Sequence, residues 1–353
     1  MRAWEFRKKA NGDHTNMKLS AKHVGNKKRR DQFCFLYSIW VCAFILAGCS
    51  NDRGAEEIKT PEIVVYTEGS AESMEIDTAV GPASESEMEL ASGSEPEPET
   101  VEADWSAYFN GLNGTAVLYD ASARRYTLYD RDLALTRRSP CSTFKIISSL
   151  IALENGILVP EDSTRTWSGE IFWNEDWNKD IDFGEAFRTS CVWYYRQVAD
   201  DIGKDLMQAN LDHLRYGSCD ISDWEGRLNT NNQNRALTGF WLESSLTISP
   251  KEQVEVMERI FGEHSSYSVT TQTELKQVML VSDPEETGIA IYGKTGMGKT
   301  DGIVVDAWFT GFAEGPEGNL YFCVRLGRTD GRDVSSSLAK EIAVRIVSDH
   351  YEN

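Results

Sequence analysis

Ser142-Thr143-Phe144-Lys145 sets a hydroxyl and an amine three residues apart. On a helix, positions i and i+3 share one face, with Cβ atoms about 5–6 Å apart. A serine is a poor nucleophile until a base removes its proton. A lysine is normally charged and cannot serve as that base, but desolvation disfavours the ammonium and can lower a lysine pKa by about 3–5 units. The run that follows, Ile146-Ile147-Ser148-Ser149-Leu150-Ile151-Ala152-Leu153, is mostly apolar, so an unpaired charge on Lys145 would be costly there. A helix N-terminus at this point adds positive potential at the serine and backbone N–H groups for an oxyanion. The chemistry on offer is nucleophilic attack by Ser142 with Lys145 as general base.

Three further segments complement this pair. Lys294-Thr295-Gly296 follows the strand-like Ile289-Ala290-Ile291-Tyr292. On an edge strand it would offer an anionic substrate a cation, a hydroxyl and a glycine that permits close approach. Ser190-Cys191-Val192 lies between the first two motifs, and Phe240-Trp241-Leu242-Glu243 lies further along. Each is weak alone; their order and spacing form the signal. The five histidines, His14, His23, His213, His264 and His350, show no metal-ligand spacing with Cys or acids. His213 is most simply a helix residue, and Trp173–Trp177 reads better as aromatic packing than as a binding loop.

Gly293-Lys294-Thr295-Gly296-Met297-Gly298-Lys299-Thr300 also matches the phosphate-binding pattern G-x-x-x-x-G-K-[ST]. That loop must open a helix whose N-terminus cradles phosphate. Here Asp301-Gly302 and a strand-like run follow, and only 53 residues remain after Thr300. A P-loop NTPase is therefore a remote alternative.

The elements that must position these residues fall into order. Gly114–Asp120 and Arg125–Tyr129 read as two strands around a short turn. A buried helix runs from the Ser142 region to a stop at Asn155-Gly156. Further helices are expected over about 184–201, 203–213 and 250–261, and strands at 289–292, 304–312 and 320–326. Gly315-Pro316-Glu317-Gly318 makes a hairpin turn, and a final amphipathic helix spans about 335–350. Strands at both ends with helices between imply an α+β fold: one antiparallel sheet flanked by helices, with an inserted all-helical domain. The sheet would come from about 104–140 and 289–353, and the helical region from about 141–288.

Composition supports a globular body. The 353 residues are 41% hydrophobic and 10% aromatic, enough to build a core. Seven cysteines is a sparse, odd number for a disulfide scaffold. The net charge of −20 is unevenly spread. Residues 1–49 hold 10 basic and 3 acidic side chains, residues 50–103 hold 2 and 15, and the remainder hold 24 and 38. No basic domain is left to bind nucleic acid.

The basic leader carries Lys27-Lys28-Arg29-Arg30 and then an apolar stretch from Phe33 to Ala47. At about 15 residues this stretch is short of the roughly 20 a membrane span needs, and it fits a secretory signal. It ends in Leu46-Ala47-Gly48-Cys49, which resembles the lipobox of bacterial lipoproteins, whose cysteine is lipidated. We expect a signal peptide over 1–48, with Met17 an alternative start, and a lipid anchor at Cys49. The Glu-, Ser-, Ala- and Pro-rich segment 49–103 is expected to be a disordered tether. The body, 104–353, would then be extracytoplasmic and anchored to a bacterial membrane.

Over about residues 104–350 the chain resembles the class D β-lactamases, serine enzymes that hydrolyse penicillin-like antibiotics. The resemblance rests on Ser142-Thr143-Phe144-Lys145, Ser190-Cys191-Val192, Tyr216-Gly217-Ser218, Trp241-Leu242-Glu243 and Tyr292-Gly293-Lys294-Thr295-Gly296, with the surrounding Ala186–Tyr195 segment similar too. It implies a serine β-lactamase or penicillin-binding-transpeptidase-like fold with the active site at the junction of a mixed α/β domain and a helical one. It implies Ser142 as the acylated nucleophile and Lys145, carboxylated by CO2 to a carbamate, as general base, with no other cofactor. Val192 would keep that pocket dry, and the Trp241 indole would hold the carbamate. Ser190 would relay a proton to the leaving nitrogen with support from Lys294. The backbone N–H groups of Ser142 and Met297 would form the oxyanion hole beside Gly296, and Thr295 would contact the substrate carboxylate. Arg332, or else Arg328, would pair with that carboxylate by position alone.

The chain departs from the family pattern in places. Ser218 stands where Asn is usual, and Ala307 stands where glycine usually precedes the aromatic pair, here Trp308-Phe309. Cys141 and Cys191 flank the motifs and are expected to be small buried thiols, with a disulfide the lesser alternative. Two related activities compete with hydrolysis. The sensor domains of β-lactam receptors acylate without turnover; such receptors carry several membrane helices and a zinc protease, for which this chain shows no H-E-x-x-H. Penicillin-binding transpeptidases generally carry S-x-N where this chain has Val192.

Overall fold

The computed structural model describes residues 97–352 apart from 284, 286, 287, 329 and 330. The expected signal peptide, Cys49 and most of the acidic segment lie outside the described residues.

Among the described residues seven strands form one sheet: β1 (Glu99–Glu102), β2 (Gly114–Asp120), β3 (Arg125–Tyr129), β4 (Leu280–Ser282), β5 (Ala290–Thr300), β6 (Ile303–Gly315) and β7 (Gly318–Gly327). Their order is β1-β3-β2-β7-β6-β5-β4. The two strand groups at the ends of the body thus meet where β2 pairs with β7. The sheet is mixed rather than wholly antiparallel, because β1 runs parallel to β3. β1 also takes the last residues of the segment expected to be unfolded. The parallel pairing with β3 gives its backbone the hydrogen-bond partners that its acidic side chains do not provide.

Strand alternation divides the core. On β7, Leu320, Phe322, Val324 and Leu326 face one layer, and Tyr321 and Cys323 face the other. The first layer is capped by the last helix, α9 (Ser336–Glu352), through Ala339, Ile342, Ala343, Ile346 and Val347. Their i, i+3, i+4, i+7 spacing makes one apolar stripe. On the opposite face the helical region packs, including α3 (Lys145–Glu154), α5 (Val192–Ile202), α6 (Lys204–Leu214), α7 (Pro250–Phe261) and α8 (Val269–Met279). α7 begins with a complete capping box: Ser249 accepts from the Glu252 N–H and Glu252 accepts from the Ser249 N–H.

Two helix expectations need correction. The α-helix begins at Lys145, and Ser142 sits in a 3₁₀ turn, Cys141–Phe144, just before it. The stretch read as one helix over 184–201 is two: α4 (Phe183–Arg188) and α5, broken at Ser190, whose φ is +60°. The apolar period runs across the break, so side-chain pattern alone could not reveal it.

The letter-for-letter phosphate-loop match lies wholly within β5, which turns directly into β6. Glycine there serves strand packing: a Cβ on Gly293 would lie 2.8 Å from the Thr310 carbonyl and 2.6 Å from the Phe309 ring. No helix begins there, so the remote NTPase reading falls.

Candidate active site

The motifs converge on a cleft of about 350 Å³ between the edge of β5 and the helical region. Ser142, Ser190, Val192, Thr295, Gly296 and Met297 all line it. β4 pairs only with Ile291 and Tyr292, so β5 is an open edge from Lys294 onward, as expected for the K-T-G segment.

The nucleophile turn is set against that edge. A Cβ on Gly296 would lie 3.0 Å from Thr143 Cγ2 and 3.1 Å from the Pro140 carbonyl, so the glycine admits the turn at close range. Cys141, immediately before Ser142, has φ +50°, a conformation that is strained for a non-glycine residue. It is held there by the 241–243 loop: Cys141 N–H donates to the Trp241 carbonyl at 3.0 Å. The Ser139 hydroxyl donates to that same carbonyl at 2.9 Å, and the Glu243 N–H donates to Ser139 Oγ at 2.9 Å.

Lys145 Nζ lies 3.0 Å from Ser142 Oγ. The lysine is 1% exposed and no acid pairs with it among the described residues. Burial lowers its pKa to about 8, bringing the neutral amine within reach of ordinary pH. Across the cleft Lys294 Nζ lies 3.1 Å from Ser190 Oγ. Burial, together with the positive charge of Lys145, pushes the Lys294 pKa well below the usual lysine range. Two hydroxyls thus each face a desolvated lysine, one on either side of the cleft. The positive φ at Ser190 breaks the helix and turns this hydroxyl toward β5.

Trp241 is 1% exposed, and its indole Nε1 has no hydrogen-bond partner among the described residues. A buried donor left unsatisfied costs roughly 1–3 kcal/mol. A carboxylated Lys145 would need a partly apolar wall and a donor, and Val192 and this indole are of the right kind. The residues present fit that group.

The guanidiniums do not join the cleft. The Arg332 side chain turns to the Asn110 carbonyl at 3.1 Å. Arg328 pairs with Asp333 at 3.2 Å and donates to the Gly331 carbonyl at 3.0 Å. Neither is among the residues that line the cleft. The cation that does line it is Lys299, unassigned in the sequence reading. Ser336, at the start of α9, lines the cleft as well.

Glu243, the last residue of the Phe240–Glu243 segment, ties three segments together. Its carboxylate accepts from Asn229 Nδ2 at 2.9 Å and from the Lys299 N–H at 2.9 Å, and Cys141 Sγ lies 3.7 Å away. Its φ is +46°, and burial raises its pKa. Nothing in the sequence distinguishes it from a surface glutamate. Cys141 and Cys191 are buried and form no disulfide among the described residues. Burial pushes the Cys141 thiol well above its ordinary range and Cys191 up to about 11, so both stay protonated. The two ends of the tryptophan run behave differently: Trp177 is buried, whereas Trp173 is 73% exposed at the cleft mouth. His213 lies on α6 as expected, with Nε2 3.1 Å from Ser266 Oγ.

Tyr216-Gly217-Ser218 has the structural role expected of it. A Cβ on Gly217 would fall 2.1 Å from the Thr247 carbonyl, and φ there is +52°. Ser218 replaces the usual amide yet still accepts from the Thr247 N–H at 3.0 Å.

Comparison with known proteins agrees with this geometry. Residues 112–348 match the penicillin binding protein transpeptidase domain. Regulatory protein BlaR1 of Bacillus licheniformis is 30% identical over 69% of this chain, which spans 38% of that protein's length. The probable β-lactamase YbxI of Bacillus subtilis is 33% identical over 68% of this chain and 81% of its own. The solved C-terminal domain of the Bacillus licheniformis BlaR penicillin-receptor superposes with a TM-score of 0.62 at 29% identity, covering 72% of this chain and 98% of that domain. With its serine and lysine pairs set on either side of one cleft, the chain belongs to the penicillin-binding protein transpeptidase domain family, whose members similar to it include class D β-lactamases.

Proposed function

We propose that the chain hydrolyses β-lactams through an acyl-enzyme on Ser142. The observation that carries this reading is the buried Lys145 amine 3.0 Å from the Ser142 hydroxyl, with no acid among the described residues to hold it charged. Neutral Lys145 accepts the Ser142 proton as Oγ attacks the lactam carbonyl. The oxyanion forms between the backbone N–H groups of Ser142 and Met297, our candidates for the oxyanion hole. As the C–N bond breaks, Ser190 Oγ hands its proton to the leaving nitrogen. Lys294, 3.1 Å from Ser190, stabilises the alkoxide and replenishes that proton. Lys145 then releases its proton to solvent and Lys294 regains one; neutral Lys145 takes a proton from the attacking water and hands it to Ser142 Oγ as the ester breaks, so Ser142 leaves as the alcohol and the ring-opened acid departs. Carboxylation of the neutral Lys145 amine by CO2 would set an anionic carboxylate beside that water, a base that stays unprotonated at neutral pH. Trp241 Nε1 and Val192 are the side chains we assign to hold and shield it.

A second reading has its own support, the 30% identity to BlaR1, a regulatory protein. In that reading Ser142 acylates and the adduct persists, making the chain a sensor. Nitrocefin turnover followed by intact mass with a penicillin separates the two. Hydrolysis with free enzyme recovered supports the enzyme; a lasting one-to-one adduct without turnover supports the sensor.

We further propose that Cys49 carries the lipid that anchors the body outside a bacterial membrane. The basic run, apolar run and Leu46-Ala47-Gly48-Cys49 appear in that order. Cys49→Ser should abolish incorporation of labelled fatty acid; incorporation that survives the change would overturn the assignment.

A further inference from the structure

We propose that Lys299, with Trp173 beside it, forms a subsite for an anionic group on the acyl side chain of a β-lactam. The inference rests on the β-lactam reading of the Ser142 site and deepens it.

The direction of β5 supplies the argument. Thr295, Met297 and Lys299 alternate with buried neighbours and share the open face of the strand. Thr295 and Lys299 are four residues apart, about 13 Å along a strand. The nucleophile turn packs against Gly296, between them. A ring acylated at Ser142 therefore has two exits. One leads to Thr295 and Ser336; the other leads past Met297 to Lys299 and Trp173. In a bicyclic β-lactam the ring carboxylate and the acyl side chain leave from opposite sides. With the ring carboxylate at Thr295, the side chain must run toward Lys299.

Lys299 is built into that place. Its N–H donates to Glu243 Oε1 at 2.9 Å, and its carbonyl accepts from Asn231 Nδ2 at 2.9 Å. Both backbone groups are thus fixed, and the side chain extends from a rigid strand. Its ammonium lies 5.9 Å from the centre of the Trp173 ring. It forms no ion pair with an acid among the described residues. Glu243, an acid in the cleft wall, feels the Lys299 charge, but its carboxylate oxygens accept from Asn229 and from the Lys299 N–H. Asn231 also accepts from the Gly302 N–H at 3.0 Å, pinning the β5–β6 turn at this end of the cleft. The result is a cation beside an exposed aromatic face at the mouth, suited to an aryl side chain that bears a carboxylate.

Carbenicillin and benzylpenicillin differ only by a carboxylate on the side chain, so they isolate this contact. The quantity to measure is the second-order rate constant for acylating Ser142, taken as a ratio of carbenicillin to benzylpenicillin. For Lys299→Gln the ratio should fall about fivefold from wild type, the size of one partly exposed ion pair. Lys299→Glu should lower it further, and 0.5 M salt should shrink the wild-type preference, by roughly the screening expected at that ionic strength. A ratio unchanged in both variants, or both substrates slowing together, would overturn the proposal while leaving the Ser142 reading intact. Absence of labelling by either penicillin in the wild type would remove both.

Discussion

Lys294 Nζ meets Ser190 Oγ at 3.1 Å although 104 residues separate them in the chain. The contact joins the edge of the sheet to the break between α4 and α5, and it closes the cleft opposite the Ser142–Lys145 pair. Two lysines in one dry cavity repel each other, and burial acts in the same direction on both.

Ser190→Ala removes the hydroxyl but not the turn that carries it. Acylation of Ser142 should slow by about 10²-fold, within the range for losing a positioned proton donor. The melting temperature should hardly move. A stopped-flow acylation rate alongside a thermal melt checks both, and a rate near wild type would remove Ser190 from the chemistry.

The pH dependence of acylation follows from Lys145. Its pKa is lowered from the usual lysine value to about 8, so the neutral base is lost as pH falls and gained as pH rises through that value. At pH 6 only about 1% of such an amine is neutral. In CO2-depleted buffer the acylation rate should therefore fall close to tenfold per pH unit below about 7. A flat profile from pH 6 to 9 would show that Lys145 is not the base that activates Ser142.

Glu243→Gln tests the clamp behind the nucleophile. The carboxylate accepts from both Asn229 and the Lys299 N–H. A glutamine offers one acceptor oxygen, so its amide must face one of these donors. The loss should be about 1–3 kcal/mol of folding stability, read from urea unfolding. An unchanged midpoint would mean that neither bond matters in the folded state.

Gly217→Ala should be more damaging than its size suggests. The new methyl would meet the Thr247 carbonyl at 2.1 Å, on backbone at φ +52°. A loss of about 2 kcal/mol or more is expected, read from the same unfolding curves. A variant as stable as wild type would show that the 216–218 turn moves freely away from Thr247.

Much of this site was legible because its signals are local. Ser142 and Lys145 lie within one turn, and Lys294, Thr295 and Gly296 are consecutive on one strand. The strand and helix order of the body was likewise readable from apolar period and turn residues. What could not be read depended on backbone conformation or on distant partners. The break at Ser190 is a matter of φ, hidden under a continuous apolar period. β1 forms because β3 offers it an edge, which acidic composition does not announce. Arg332 was placed by its position before the last helix, but its guanidinium finds the Asn110 carbonyl instead. Lys299 was read as one letter of a phosphate-loop pattern, whereas the strand makes it a wall of the cleft.

The most direct measurement is intact mass and peptide mapping of the protein after brief exposure to benzylpenicillin, for wild type and for Ser142→Ala. The wild type should gain one penicilloyl group, mapped to Ser142, and the variant none. An unmodified wild type, or an adduct that persists in Ser142→Ala, would contradict the account.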